Sequence, residues 1–171
     1  MRKDGKNIIL IGMPASGKST LGVVLAKMAG MNFLDCDLLI QQKQGRLLQN
    51  IIDEEGAQGL LKIEQDVLSR IDVRNTVIST GGSAVCGGSA VEKLRQNGVC
   101  VYLNVPLDEI KRRIDNIETR GIACKKGETL DDVYAERAPL YEKYADITVK
   151  TCGMSMAQAA RLIIDECRRM M

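Results

Sequence analysis

Asn7-Ile8-Ile9-Leu10-Ile11-Gly12-Met13-Pro14-Ala15-Ser16-Gly17-Lys18-Ser19 joins a short apolar run to a complete G-x-x-x-x-G-K-S. Residues 8–11 are apolar, three of them β-branched isoleucines, and do not alternate with polar ones, which suits a strand buried on both faces of a parallel sheet. Leu21, Val24, Leu25 and Met28 then recur at helical spacing, so a helix is expected to begin near Gly17 or Lys18. Glycines in such a turn let the backbone approach an anion closely, and the free N–H groups of the helix start point at it. This is the pattern of a phosphate-binding loop. Lys18 would reach the β- and γ-phosphates of a nucleotide, and the Ser19 hydroxyl would sit on Mg²⁺.

Working outward, composition narrows the field. The chain has 171 residues, enough for one domain that buries a sizeable core without disulfides or a structural metal. Lys and Arg number 24 against 22 Asp and Glu, a net charge of +2, which is too small for a nucleic-acid surface. One Phe, four Tyr and no Trp give no platform for stacking single strands. Six cysteines stand scattered without a C-x-x-C, and there is no His to complete a zinc set, so reduced thiols in a cytoplasmic protein are expected. The basic stretch Met1 to Lys6 precedes an apolar run of only five residues, too short for a signal core or a membrane span. Neither a membrane nor a nucleic acid is expected as a partner.

Beyond the loop, Met31 to Leu34 reads as a second strand ending in Asp35-Cys36-Asp37, Thr76 to Ser79 as a third, Val99 to Leu103 as a fourth and Ile147 to Val149 as a fifth. Helical periodicity runs over 56–71, 90–96, 107–114, 130–143 and 155–169. Strands alternating with helices predict an α/β domain of three α/β/α layers about a five-stranded parallel sheet, spanning 1–171 without a linker. Ligands of such sheets gather at the carboxyl ends of the strands. Lys18, the pair Asp35 and Asp37, and Gly81-Gly82-Ser83 all fall there. The aspartate pair has a second reading as helix capping, which Asp favours.

Several motifs in order make the chain resemble the shikimate kinases, within the group of P-loop kinases similar to nucleoside monophosphate kinases. Besides the loop, Phe33-Leu34-Asp35-Cys36-Asp37 matches the family's D-x-D, Thr80-Gly81-Gly82 resembles its T-G-G-G, and Glu136-Arg137-Ala138-Pro139-Leu140-Tyr141 matches E-R-x-P-L-Y. The resemblance runs from about Ile8 to Cys167 and implies transfer of the γ-phosphoryl of ATP to a hydroxyl of shikimate, a step of aromatic amino acid biosynthesis, by a monomer. It implies that Ala15, Ser16, Gly17, Lys18, Ser19 and Thr20 hold the nucleotide and that Ser19 and Asp35 hold Mg²⁺. Asp37 would bind and orient the acceptor hydroxyl, Gly81 and Gly82 would line the acceptor site, and Arg137 would grip its carboxylate. Residues 112–129 correspond to a lid whose Arg120 would touch the phosphates, with Arg120-Gly121-Ile122 where R-P-L is usual.

The departures concern the acceptor. Where the family carries G-E-x-x-F-R-x-x-E, this chain reads Gly56-Ala57-Gln58-Gly59-Leu60-Leu61-Lys62-Ile63-Glu64. Leu61 replaces a second carboxylate-binding arginine, and Lys62 points about 100° further round the helix. Ser83 replaces the third glycine of T-G-G-G and Ala15 a glycine of the loop. Two other readings therefore stay open: a related kinase for another small hydroxy acid or polyol, and a nucleotide-binding protein without catalysis.

Overall fold

The computed structural model describes residues 5–114 and 122–170. Five strands, β1 (Asn7–Ile11), β2 (Asn32–Asp35), β3 (Thr76–Ser79), β4 (Gly98–Asn104) and β5 (Ile147–Lys150), form one parallel sheet in the order β2-β3-β1-β4-β5. The helices are α1 (Lys18–Ala29), α2 (Cys36–Gln44), α3 (Leu48–Ser69), α4 (Ser89–Arg95), α5 (Leu107–Arg113), α6 (Leu130–Tyr144) and α7 (Met156–Met170), with a 3₁₀ turn at Ala84–Cys86.

Residues 7–11 are buried throughout because both faces of the central strand are covered. Ile9 and Ile11 point to the layer that contains Leu68, Val91, Val133 and Tyr141, from α3, α4 and α6. Ile8 and Leu10 point the other way, onto Leu21 and Leu25 of α1 and Ala160, Ile163 and Ile164 of α7. The period-two alternation of a strand is thus present, hidden by an apolar environment on each side. In register, Ile8 lies between Val77 of β3 and Val99 of β4, which puts the loop after β1 in the middle of the sheet's carboxyl edge.

Most elements lie within about a residue of the sequence reading, but the region after β2 differs. Cys36 and Asp37 begin a helix, α2, for which no element was expected. The cause is Asp35, which ends β2 and caps α2, its Oδ1 accepting from the backbone N–H of Asp37 at 3.0 Å and of Leu38 at 3.2 Å. Helix α3 starts at Leu48, eight residues before the expected start at Gly56, and its axis breaks at Gly56, where φ is 72° and ψ 176°. The periodicity of Leu48, Ile51 and Ile52 before that break belongs to a short helix that packs on Leu60 in a third apolar cluster. In α1, Leu21 and Leu25 are buried as expected, whereas Met28 is 38% exposed. Of the lid expected over 112–129, residues 115–121, Arg120 among them, lie outside the described residues.

Candidate active site

The phosphate-binding loop has the backbone its sequence calls for. Gly12 adopts φ 145°, and a Cβ there would stand 2.9 Å from the carbonyl of Leu103. Gly17, at φ 92°, precedes α1 without a side-chain cap, so the N–H groups of the first turn open towards the cavity. Ala15 is left-handed at φ 60°, a conformation that costs an L residue roughly 1–2 kcal/mol. Its carbonyl accepts from Nη1 of Arg113 at 3.2 Å, and Arg113 Nε pairs with Glu109 at 2.9 Å.

Lys18 is buried beneath this loop. Its Nζ donates to the carbonyls of Gly12 at 2.8 Å and Met13 at 2.7 Å and lies 3.4 Å from Ser16 Oγ. Burial pulls its pKa down to about 8, against the pull of Asp37, Asp35 and Glu64. Desolvation raises the Asp37 carboxyl above its usual range, with Lys18 opposing. Ser19 Oγ stands 3.3 Å from Ser79 Oγ at the end of β3.

The far side is built by the turn after β3 and by α3 and α6. Thr80 Oγ1 donates to Leu10 O at 2.9 Å, tying that turn to β1, and the Tyr141 hydroxyl donates to Gly82 O at 2.5 Å, tying it to α6. Gly81 is a place of close approach: a Cβ there would stand 2.9 Å from Asp37 Oδ1 and nearer still to Glu64 Oε1. Ser83 Oγ donates to Glu64 Oε2 at 2.5 Å. Burial pushes Glu64 up to about 7, with the Ser83 hydrogen bond opposing. Arg137 is 4% exposed; it donates to Ala123 O, and its Nε and Nη1 are buried with no hydrogen-bond partner among the described residues.

These groups surround one cavity of about 310 Å³. Its lining includes Ala15, Gly17, Lys18, Ser19, Thr20, Asp37, Gly81, Gly82 and Arg137, so most residues singled out from the sequence share it. One end has backbone N–H groups and a lysine, the other holds the Arg137 guanidinium and the Glu64 carboxylate, and Ile40, Leu48 and Leu60 form an apolar wall. Ser16 is buried against Lys18 instead of lining the space. Asp35 is not among the lining residues, since its side chain caps α2. Among the described residues no three acidic or sulfur side chains gather as a metal cage. A hydroxyl at the loop suits Mg²⁺, which is usually bound by few protein groups and by substrate phosphates.

The shikimate kinase family model matches residues 14–168. This chain belongs to that family. Shikimate kinases are ATP-dependent phosphotransferases with a hydroxyl acceptor, and they generally use Mg²⁺. A shikimate kinase of Actinobacillus pleuropneumoniae is 35% identical over 163 residues, 94% of each chain, and one of Persephonella marina is 30% identical over 95% of this chain and 99% of its own. A shikimate kinase from Acinetobacter baumannii, solved in complex with shikimate, superposes with a TM-score of 0.88 at 30% identity, covering 96% of this chain and 93% of that one.

As a shikimate kinase the chain has site features that its sequence did not announce. Ile40 and Leu48 enter through α2 and the start of α3, neither of which the periodicity assigned correctly. Arg113, at the start of the stretch expected as a lid, closes α5 and donates to the loop carbonyl of Ala15, a contact that nothing in the sequence signalled. On α3 it is Leu60 that lines the cavity, while Leu61 is half-buried beside it.

Proposed function

We propose that this chain phosphorylates shikimate, transferring the γ-phosphoryl of ATP to its 3-hydroxyl. The observation that carries this is Arg137: a buried guanidinium whose Nε and Nη1 have no hydrogen-bond partner among the described residues, in the same cavity as Asp37 and Lys18. Such a group is costly to bury unless an anion meets it, and a bidentate carboxylate is the matching anion. A hydroxy acid anchored there lays a hydroxyl towards Asp37 and the loop.

Phosphoryl transfer asks chiefly for positioning and neutralised phosphate oxygens. The first-turn N–H groups of α1 and Lys18 supply positive charge at the phosphates, and Ser19 is the residue that would hold Mg²⁺, which adds charge neutralisation when bound. Asp37 orients the acceptor hydroxyl and takes its proton, its raised pKa favouring that transfer. Arg120, at the phosphates, and Asp35, through water on the metal, complete the set on the family resemblance. The enzyme acts as a cytoplasmic monomer in this reading, and no helix among the described residues is long and apolar enough to cross a membrane.

One feature favours a second acceptor. Helix α3 turns Leu60 into the cavity and brings no cation there, which suits a less acidic hydroxy compound. ADP release from ATP and Mg²⁺, measured with shikimate and then with a panel of small hydroxy acids and polyols, decides between them. Shikimate-dependent release supports the proposal. Release with another acceptor alone overturns it, and release with none, beside intact nucleotide binding, marks a protein that keeps ATP without catalysis.

A further inference from the structure

Glu64 is 2% exposed and sits among groups of both signs. Lys18 of α1, Asp37 and Cys36 of α2, Arg137 and Tyr141 of α6 and Cys86 of the 3₁₀ turn face it. Its own helix offers no help: the preceding turn presents Leu60, and Lys62 is exposed. A carboxylate so far from water needs hydrogen bonds to hold its orientation. Ser83 supplies one directly to Oε2, from a residue that is itself 7% exposed and that starts the 3₁₀ turn at φ −95° and ψ −3°. With Oε2 held there, Oε1 lies over Gly81, on the side where Asp37 Oδ1 also lies.

Resting on the reading of this cavity as the acceptor pocket, we propose that Ser83 is a positioning residue that does the work of a missing cation on α3. Its hydroxyl clamps one oxygen of Glu64 and so aims the other at the acceptor's hydroxyls beside Asp37. The direction of the charge effect agrees, because the hydrogen bond from Ser83 favours the ionised form of a group that burial otherwise keeps protonated.

The test begins without an acceptor. In ¹³C-carboxyl NMR titrations of the ligand-free protein, Ser83→Ala raises the midpoint of Glu64 by roughly one unit, the effect of losing a hydrogen bond to a charged group. Ser83→Gly does the same and serves if the alanine variant folds poorly. In kinetics, the acid limb of kcat/KM moves up with that midpoint and KM for the acceptor rises about tenfold. Leu61→Arg, three residues before Glu64 and so on the same helical side, gives Glu64 a new partner. It lowers KM more in the Ser83→Ala background than in the wild type. A midpoint unmoved in both Ser83 variants, or strictly additive effects of the Ser83 and Leu61 changes, overturns the proposal. Absence of turnover with shikimate overturns the acceptor assignment instead and leaves the titration result standing.

Discussion

Gly81→Ala separates the demands of the site from those of the fold. Gly81 is not among the residues with positive φ, so alanine meets no backbone strain. Its loss of freedom in the unfolded chain stabilises by roughly 0.4–1 kcal/mol. What the methyl meets is the site: Asp37 Oδ1 at 2.9 Å and Glu64 Oε1 closer still, where ordinary contacts begin at 3.4 Å. Both are ends of flexible side chains, so they can withdraw by about 1 Å, and a displacement of that size at reacting groups costs about a hundredfold in rate. The expected outcome is a melting temperature within about 4 °C of wild type together with kcat/KM reduced about a hundredfold. Thermal unfolding and a coupled ADP-release assay, run on the same preparation, read both. A variant that keeps kcat/KM within threefold would refute the idea that these two carboxylates meet the acceptor over Gly81.

Four other outcomes are expected. Glu64 titrates at 4.5 as a free group and at about 7 in the folded protein, so the native state holds the proton more tightly and stability declines as pH rises between those values, by about 3 kcal/mol. Glu64→Gln removes that part of the slope, leaving the Asp37 contribution of the same sign, and urea midpoints at pH 5 and pH 8 that shift equally in variant and wild type would contradict the assignment. Leu61→Arg lowers the wild-type KM for shikimate about tenfold or more, as a charged hydrogen bond worth roughly 1.5–3 kcal/mol implies, and an unchanged KM removes Leu61 from the acceptor's reach. Asp37→Asn lowers kcat at least about a hundredfold while calorimetric nucleotide affinity stays within threefold; equal losses in both would make Asp37 a structural group. Ala15→Gly relieves a left-handed alanine and raises stability by about 1 kcal/mol, read as a higher urea midpoint.

The legible parts of this protein were those written in short-range pattern. The unalternating run at Ile8–Ile11, the G-x-x-x-x-G-K-S after it and the helical spacing of Leu21 and Leu25 each describe a local backbone state, and the structure contains all three. The region from Cys36 to Gly56 was not legible in the same way. Helix α2 has its apolar residues bunched at Leu38-Leu39-Ile40 without helical spacing and is begun by the side chain of Asp35, and the periodicity of α3 is interrupted at Gly56 by a positive φ. Two members of the cavity's apolar wall, Ile40 and Leu48, come from this stretch, which is why the sequence did not mark them.

By itself, then, the chain specified the order of its elements, the parallel sheet and the phosphate-binding turn, because hydrophobic period and glycine placement act within a few residues of one another. Tertiary structure decided the rest: that Leu60 and not Leu61 lines the cavity, and that Ser83 reaches Glu64 across nineteen positions of sequence. Those contacts depend on how α2, α3 and the turn after β3 pack at the sheet's edge. Desolvation, which shifts Lys18, Asp37 and Glu64 towards neutral pH, exists only once that packing has excluded water.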